Sequence, residues 1–322
     1  MKYDVLTIGD AFEDVFVEPE MDIHYDRTFA SGKGIAFEFG EKIPLKSVQY
    51  EVGGSACNIA VGLSRLGLKT ALATTLGDDS PKTKVIDKLI DEDVDTNQIL
   101  ISSKNQTGFS VIFSIDGERT VFVYHGLRDY SELKIKKGVH ANWLFMTSLG
   151  DNTDDVEKRV VEEVAEHGAK FAWNPGSKQI AKGANHYRHL LHCTSILFLN
   201  REEAIKFLNF PIRPQIEEAA KGLQRLGVKI VVITNGKEGA TVYDGTDFYH
   251  KVPDLHIKKV DSTGAGDAFA TGFLGRVIIS DEDISAKIIE ESLDWGIANS
   301  GSVIQYIGAQ KGLLSRDEII KE

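Results

Sequence analysis

Cysteine is scarce in this sequence, because its 322 residues contain only two, Cys57 and Cys193. Two cysteines are too few for a disulfide framework, and they fit a reducing compartment. No apolar stretch approaches the roughly 18 residues that a membrane helix needs. The N-terminal segment "MKYDVLTIGDAF" also lacks the basic region and long apolar run of a signal peptide. We therefore expect a cytoplasmic protein without a membrane-spanning segment.

Basic residues are also in short supply, since 37 lysines and arginines face 48 acidic residues and the net charge is −11. Nucleic-acid-binding proteins usually carry a basic excess or a basic patch, and no lysine or arginine run is present. We therefore expect no nucleic-acid partner, and an anionic membrane surface is disfavoured for the same reason. Backbone amides nevertheless bind small anions without net positive charge. A small anionic ligand is compatible with this composition.

What the sequence does contain is an alternation of apolar strand-like runs with amphipathic helices. Strands are predicted at 4–10, 69–77, 143–149, 170–174, 195–200 and 229–236. Helices are predicted at 53–67, 81–94, 153–167, 181–192, 214–226, 264–279 and 284–300. Ser55 is the predicted N-cap of the first helix. This alternation indicates an α/β fold with three αβα layers, in which helices cover both faces of a mostly parallel sheet.

Two β-rich segments, at about 12–50 and 105–125, do not fit this alternation. The first contains the β-like pieces "IAFEF" and "SVQYEV". The second has two β-rich runs around Asp116-Gly117, a dipeptide that favours a type I′ hairpin turn. We expect both segments to pair into a small β-sheet that covers a site as a lid. No linker rich in Pro, Gly or Ser divides the chain, so residues 1–322 are predicted to form one domain.

Polar residues follow the predicted strands where ligands bind in open α/β sheets, which is at the carboxyl ends of the strands. They are Asp10, Asp14, Gly53, Gly54, Asn174, Asn200, Glu203, Thr234, Gly236 and the stretch "STGAGDAF" at 262–269. This set contains no His or Cys in a catalytic-looking position. It suits phosphoryl transfer better than acyl transfer, because phosphoryl transfer mainly needs positioning, charge neutralisation and a carboxylate base.

The stretch "STGAGDAF" combines a glycine-rich turn with the start of a helix. Such a turn points the backbone N–H groups of Gly264, Ala265 and Gly266 at one spot, with the positive end of the helix dipole behind them. Asp267 lies in the first helical turn and is placed to accept a proton from an attacking hydroxyl. A P-loop would need a lysine, and a dinucleotide fingerprint would need glycine in place of Phe269. From the pattern alone, helix capping with close packing is an equal alternative.

Three motifs together resemble the ribokinase-like (pfkB) carbohydrate kinase family. "DSTGAGD" (261–267) is similar to its C-terminal signature, "GGSACNIAVGLSRLG" (53–67) to its N-terminal signature and "NREE" (200–203) to its Asn-x-x-Glu motif. The motifs occur in the family's order, and the resemblance covers essentially the whole chain. It implies a ribokinase-like core with a β lid. It also implies an enzyme that uses ATP and Mg²⁺ to phosphorylate a hydroxymethyl group of a sugar, a sugar acid or a nucleoside.

The resemblance also implies roles for residues at the donor side of the site. Asp267 would be the catalytic base, and the amides of residues 264–266 would form an anion hole. Asn200 and Glu203 would organise Mg²⁺ and the ATP phosphates, with Glu203 acting through water. Thr234 and Gly236, in "ITNG", match a strand end that contacts the nucleotide.

On the acceptor side, the resemblance assigns the hydroxyl-binding positions to Asp14, Gly53, Gly54 and Asn58. Asn174 in "WNPGS" is a further substrate-binding candidate, although Asn-Pro can also simply form a turn. Many members of the family need a monovalent cation such as K⁺. Here its expected neighbours are Asp261 and Thr263, with backbone near Gly308.

Two departures from ribokinases concern the acceptor. Phe12 stands where ribokinases have Asn, and Ser55 stands where they have Lys, so both put ribose in doubt. An aromatic residue near the acceptor could stack on a sugar face or on a nucleobase. We therefore expect a kinase of a small sugar or sugar-like acceptor, with an adenosine, guanosine or cytidine kinase as the alternative. An exposed β lid is also a natural surface for a homodimer.

Two readings outside this class have less support in the sequence. A non-catalytic sensor would have lost the base or the anion hole, and both motifs are intact. A dinucleotide oxidoreductase would need a different glycine pattern. His186, His189, His192 and Cys193 suggest zinc, but the stretch resembles an amphipathic helix and lacks paired ligand spacing.

Overall fold

The computed structural model describes residues 2–26, 32–104, 106–115, 118–126, 129–136, 138–210 and 214–321. The strands in these ranges are β1 (Lys2–Ile8), β2 (Phe12–Pro19), β3 (His24–Tyr25), β4 (Lys33–Gly34), β5 (Leu45–Gly53), β6 (Thr70–Gly77), β7 (Ile99–Ser102), β8 (Gly108–Ile115), β9 (Glu118–Tyr124), β10 (His140–Met146), β11 (Lys170–Trp173), β12 (Ile196–Asn200), β13 (Ile230–Thr234), β14 (Ala240–Tyr243) and β15 (Phe248–Lys251).

The helices in the same ranges are α1 (Ser55–Arg65), α2 (Ser80–Asp91), α3 (Asp154–His167), α4 (Ser177–Lys182), α5 (Arg188–Cys193), α6 (Arg201–Phe207), α7 (Ile216–Gln224), α8 (Ala265–Ser280), α9 (Ala286–Val303) and α10 (Arg316–Ile319). A short 3₁₀ turn spans Gly236–Glu238. None of the described helices is both long enough and apolar enough to cross a membrane.

A nine-stranded sheet forms the centre of the molecule, with the order β15-β14-β13-β12-β11-β10-β1-β6-β7. The seven strands from β13 to β7 in this order pair in parallel, and β14 and β15 add an antiparallel edge. Both faces are apolar because buried strands alternate their side chains between two helical layers. Leu6, Leu144 and Phe171 pack with α3, α5 and α7, whereas Val5 and Phe145 pack with α1, α8 and α9. The three-layer αβα prediction is confirmed.

A second, smaller sheet stands apart from the large one, with the order β5-β2-β8-β9. Strand β2 pairs antiparallel with β5 and parallel with β8, and β9 returns antiparallel to β8. Both β-rich segments therefore contribute to one sheet, as predicted. The turn dipeptide Asp116-Gly117 and residues 27–31 lie outside the described residues. The role of this sheet as a lid, and the division of the chain into domains, stay predictions.

The structure corrects several predicted elements. The predicted helix at 181–192 is two short helices, because Gly183 ends α4 with φ +83°. The segment "IAFEF" is not a strand. Strands β7, β14 and β15 were not predicted. The N-cap of α1 is Gly54 and not Ser55, because the chain takes φ +94° there and a Cβ would lie 2.5 Å from the carbonyl oxygen of Asp10.

Candidate active site

The glycine-rich turn before α8 is built as the sequence indicates. Gly264 is the N-cap in the left-handed conformation, with φ +74° and no side chain capping the first turn. A Cβ on Gly264 would lie 2.3 Å from the Cβ of Ala309, so the turn packs tightly on that residue. Within the turn, the amide of Ala265 donates a long, 3.3 Å hydrogen bond to the carbonyl of Ser262. The turn therefore presents backbone and not side chains, as an anion cradle requires.

Asp267 lies one residue beyond this turn, where two side chains from the start of α1 donate hydrogen bonds to its carboxylate. The Nδ2 of Asn58 lies 2.8 Å from its Oδ2. Burial raises the pKa of Asp267, while the hydrogen bonds from Asn58 and Ser55 oppose that shift. A carboxylate whose pKa is raised is a stronger base than an exposed aspartate. Both predicted motifs, 53–67 and 261–267, thus meet at one carboxylate.

Gln310 orients the Asn58 amide, and the sequence analysis missed this residue. Its Nε2 donates to the Oδ1 of Asn58 at 3.0 Å, which leaves the Nδ2 of Asn58 directed at Asp267. Asn58 is buried and was expected to contact the acceptor, whereas the structure places its side chain between Asp267 and Gln310. Gln310 lies 252 residues from Asn58 in sequence, so no local pattern points to it.

Arg65 holds the segment that carries Gln310. Its Nη1 donates to the carbonyl oxygens of Gln310 and Leu313 at 2.8 and 2.9 Å. The rest of the guanidinium makes a two-point contact with Glu92, at 2.8 and 2.6 Å. The hydrogen bond from Arg65 is the largest cause that lowers the pKa of Glu92 to about 2. This part-buried fork fixes the C-terminal segment against α1.

A cleft of about 280 Å³ opens in front of the cradle. It brings together residues that follow three neighbouring strands, β11, β12 and β13, with the start of α8. Its lining is Ser55, Asn174, Phe198, Leu199, Asn200, Glu203, Thr234, Ser262, Gly264, Ala265, Gly266, Asp267 and Phe269. Asn174 also has a structural bond, because its Nδ2 donates to the carbonyl of Phe198 at 2.8 Å. The predicted donor-side residues therefore converge, with Gly236 as the exception, since it lies in the 3₁₀ turn outside this lining.

The Asn200–Glu203 motif forms a reciprocal cap at the start of α6. The amide of Glu203 donates to the Oδ1 of Asn200 at 2.9 Å, and the amide of Asn200 donates to the Oε2 of Glu203 at 2.8 Å. Burial raises the pKa of Glu203, and the charge of Asp267 raises it further. Two carboxylates that repel each other across one cleft fit a hard divalent cation with oxygen ligands and water, such as Mg²⁺.

Asp14 approaches the same region from the small sheet. The Ser110 hydroxyl donates to its carboxylate, and a Cβ on Gly53 would lie 2.1 Å from its Oδ2, so any side chain at Gly53 would displace the Asp14 carboxylate. Burial is the main cause that raises the pKa of Asp14, and the charges of Asp261, Glu51 and Asp267 add to it. Because the charge of Asp267 also raises the pKa of Asp14, the predicted donor side and the predicted acceptor side of the site interact electrostatically.

A second cleft, of about 570 Å³, lies between the small sheet and the chain before the cradle. Its lining is Phe16, Val17, Glu18, Ser47, Gln49, Ile112, Ser114, Lys258, Lys259, Val260, Asp261, Ser262 and Ile307. Ser262 lines both clefts, so they adjoin at the glycine-rich turn.

Phe12 stands where ribokinases have Asn, and its ring centroid lies 6.2 Å from that of His125.

Asp261, Thr263 and Gly308 are close together, as the expected cation site requires. One carboxylate oxygen of Asp261 accepts from the amide and the hydroxyl of Thr263, at 3.0 and 2.8 Å. The other accepts from the amide of Gly308 at 3.1 Å. The carboxylate therefore fixes the backbone of this turn, and its role toward a monovalent cation stays a prediction.

Together, the doubly covered sheet, the cradle at its carboxyl edge and the part-buried carboxylate in the first turn of α8 define a small-molecule kinase with a ribokinase-like fold. The family model described as pfkB family carbohydrate kinase matches residues 23–316. The chain belongs to this family.

Individual relatives agree with this assignment. An uncharacterised sugar kinase of Archaeoglobus fulgidus is 29% identical over 261 residues, which cover 79% of this chain and 98% of that protein. The crystal structure of the Methanocaldococcus jannaschii nucleoside kinase, an archaeal member of the ribokinase family, matches with a TM-score of 0.78 at 21% identity, over 99% of this chain and 97% of that one. The structure of the Arabidopsis thaliana ribokinase complexed with ribose and ATP also matches with a TM-score of 0.78 at 22% identity, over 100% of this chain and 98% of that one. The two structures show the shared fold.

Proposed function

We propose that this protein transfers the γ-phosphate of ATP to a hydroxymethyl group of a small sugar or sugar-like acceptor, with Asp267 as the base. The observation that carries the proposal is the position of Asp267, directly after an uncapped glycine-rich turn and held by Asn58. A hydroxyl bonded to this carboxylate lies next to the N-terminus of α8, whose first backbone amides have no capping side chain.

The residues around the smaller cleft have separate roles toward ATP and the hydroxyl proton. Asp267 accepts the hydroxyl proton, and the amides of the turn at 264–266 stabilise charge that develops on the phosphoryl oxygens. Asn200 and Glu203 would hold Mg²⁺ through water. Thr234, together with Gly236 in the 3₁₀ turn outside the cleft lining, would position the nucleotide. Charge neutralisation on the phosphates is what Mg²⁺ supplies when it is bound.

The acceptor binds where the two clefts adjoin. Asp14 accepts hydrogen bonds from its hydroxyls, and Gly53 and Gly54 allow the chain to approach it closely. The small sheet covers the acceptor as a lid and excludes water, which would otherwise compete for the phosphoryl group. Asn58 acts mainly through Asp267, because both ends of its amide already have protein partners.

An acceptor panel scored by ADP release tests the proposal. We expect release with one class of sugar or sugar-like alcohol in the presence of ATP and Mg²⁺, and transfer to its hydroxymethyl oxygen, read by ³¹P NMR of the product. Deoxy analogues that lack this hydroxyl serve as matched controls and release no ADP. Absence of release above the acceptor-free rate across sugars, sugar acids and nucleosides would contradict the proposal.

The second candidate is a nucleoside kinase, which the ring pair of Phe12 and His125 favours. An aromatic pair at the start of β2 and after β9 offers a surface on which a nucleobase could stack. Adenosine, guanosine and cytidine in the same panel separate the candidates. If nucleosides are accepted, Phe12→Leu should raise KM for the nucleoside with little change in KM for ATP.

We further propose that the protein forms a homodimer in which the four-stranded sheets of the two copies pack against each other. Cross-strand register places Val48, Tyr50, Phe109, Phe122 and Tyr124 on one face, and each is 39–60% exposed. An apolar face of this kind commonly marks a protein interface. Tyr50→Glu combined with Phe122→Glu should convert a dimer to a monomer in light scattering. Ile320→Glu, an equally exposed site outside the sheet, should not.

The monovalent cation is tested separately. We expect activity to be higher in potassium chloride than in the chloride salt of a large organic cation at equal ionic strength. Asp261→Asn should remove this difference, because it weakens the bonds that shape the backbone around Thr263 and Gly308.

A further inference from the structure

A cleft of about 1070 Å³ lies at the amino edge of the large sheet, opposite the candidate active site. Its walls come from the starts of β1, β10 and β11 and from the ends of α3 and α8. Three side chains with metal-binding donor atoms meet there: His140, Glu163 and His167. The donor atoms all lie within 4.8 Å of one another. The kinase chemistry uses none of them.

The fold brings these three side chains together from two elements. His140 is the first residue of β10, while Glu163 and His167 are four residues apart near the end of α3 and so share one helix face. The Nδ1 of His140 lies 3.2 Å from the Oε2 of Glu163, and the Nε2 of His167 lies 3.9 Å from its Oε1. Ligands of tetrahedral zinc, at bonds of about 2.0–2.1 Å, are about 3.4 Å apart. The separation of the His140 and Glu163 donor atoms is close to that value, and the three donor atoms all lie within 4.8 Å of one another.

Burial and charge favour a cation at this position. The Glu163 side chain is only 1% exposed, whereas the two imidazoles are about 40% exposed and face the cleft. Arg159 pairs with the Oε1 of Glu163, which leaves Oε2 toward His140. The cleft is lined by four further carboxylates and two lysines, namely Asp4, Asp281, Glu282, Asp283, Lys2 and Lys170. Helices α3 and α8 also end here, and the negative ends of their dipoles attract cations.

We propose that His140, Glu163 and His167 bind a zinc-class divalent cation, with the fourth position open to the cleft. Imidazole donors suit zinc, whereas Mg²⁺ prefers oxygen ligands, so this site and the proposed Mg²⁺ site select different ions. Bound metal would join the end of α3 to the start of β10. It would therefore raise the melting temperature of the protein by mass action.

Zinc titration by calorimetry tests the site, using the full chain stripped with chelator and kept in saturating Mg²⁺ to block the active-site cleft. We expect one equivalent of zinc to bind with a rise in melting temperature. His140→Ala and His167→Ala should each weaken binding by about 100-fold or more, since even partners behind the ligands contribute about 10–100-fold. Cobalt(II) should give the intense visible bands of tetrahedral coordination in the wild-type protein and not in the His140→Ala and His167→Ala variants.

The chain supplies a matched control in His189. Its Nε2 lies 3.0 Å from the Oε2 of Glu157, so it forms the same kind of His–Glu pair but without a third ligand in a described metal cluster. His189→Ala should keep wild-type zinc affinity. Equal affinity in the His140, His167 and His189 variants, or a wild-type cobalt spectrum without tetrahedral bands, would overturn the proposal. His167 is exposed, so its variant should fold, and its melting temperature without metal checks this.

Discussion

The two edges of the large sheet differ in the direction of the backbone and in the size of their clefts. The cleft at the carboxyl edge has a volume of about 280 Å³, and the N-terminus of α8 points into it. The cleft at the amino edge has a volume of about 1070 Å³, and helices α3 and α8 end beside it. Helix N-termini favour anions and helix C-termini favour cations. Chain direction, and not cavity volume, therefore supports the proposed phosphate site at the carboxyl edge and the proposed zinc-class site at the amino edge.

The largest expected effect comes from Asp267→Asn, which removes the proposed base and keeps the shape of the side chain. We expect kcat to fall by about 10²–10⁴-fold, the usual contribution of a general base, while ATP affinity measured by calorimetry stays near the wild-type value. Asp281→Asn is the matched control, because Asp281 caps the other end of the same helix with φ +48°. It makes the same charge change at the amino edge and should leave kcat unchanged. Near-normal turnover in Asp267→Asn would remove Asp267 from the base role.

A pair of glycines compares the backbone at the two edges. Gly264 and Gly168 both adopt the left-handed conformation, with φ +74° and +68°, but only Gly264 has a neighbour within 4 Å of a new Cβ. Gly168→Ala should cost about 1–2 kcal/mol of stability, the strain of that conformation. Gly264→Ala should cost about 1–3 kcal/mol more through overpacking against Ala309, and it should lower kcat/KM at least tenfold. Equal stability losses in urea unfolding would show that the clash with Ala309 is relieved.

Gln310→Ala tests whether Asn58 needs to be oriented. Without the bond from Gln310, the Asn58 amide can rotate, and Asp267 loses the donor that opposes its raised pKa. We expect kcat to fall roughly tenfold, because weakening one hydrogen bond costs about 1.4 kcal/mol and this energy corresponds to a tenfold change in rate. The KM for ATP should change little. The acidic limb of the kcat/KM profile should move to higher pH. Gln305→Ala is the control, since Gln305 bonds only to its own helix at Gly301 among the described contacts.

The smallest expected effect is a stability gain in Asp267→Asn. Burial raises the pKa of Asp267 above its ordinary value of 3.8, so its contribution to folding is most favourable below that pH and is lost as the pH rises through the raised pKa. At pH 8 the variant avoids a buried charge and should melt a few degrees above the wild type. The difference should shrink as the pH approaches 4. A variant less stable than the wild type at pH 8 would contradict this reading of Asp267.

Much of the fold follows from the sequence because apolar strands and amphipathic helices alternate with clear periods. The predicted central strands are found, and the buried "SILFLN" segment becomes β12. Strands β14 and β15 were not predicted because each is only four residues long, and β15 also forms an edge of the sheet. The predicted helix over 181–192 failed at Gly183, whose φ of +83° ends α4.

The candidate site was predictable to the extent that local motifs carry it. The cradle at 264–266, Asp267 and the cap at Asn200 and Glu203 are local signals, and the structure brings them into one cleft. The Gln310–Asn58 bond is not local, because its two partners are 252 residues apart. Ser55 was also misassigned as a cap, since only the packed fold shows that it donates to Asp267.

The fork made by Arg65 has a consequence for the synthesis of the protein. Arg65 and Asn58 lie in the first quarter of the sequence, whereas Asp267 and Gln310 lie more than 200 residues later, and the four are connected by hydrogen bonds. A ribosome must therefore release the segment around Gln310 from its exit tunnel before the bond between Asn58 and Asp267 is oriented. The nascent chain can complete its large sheet before that point, because the last strand of the sheet ends at Lys251.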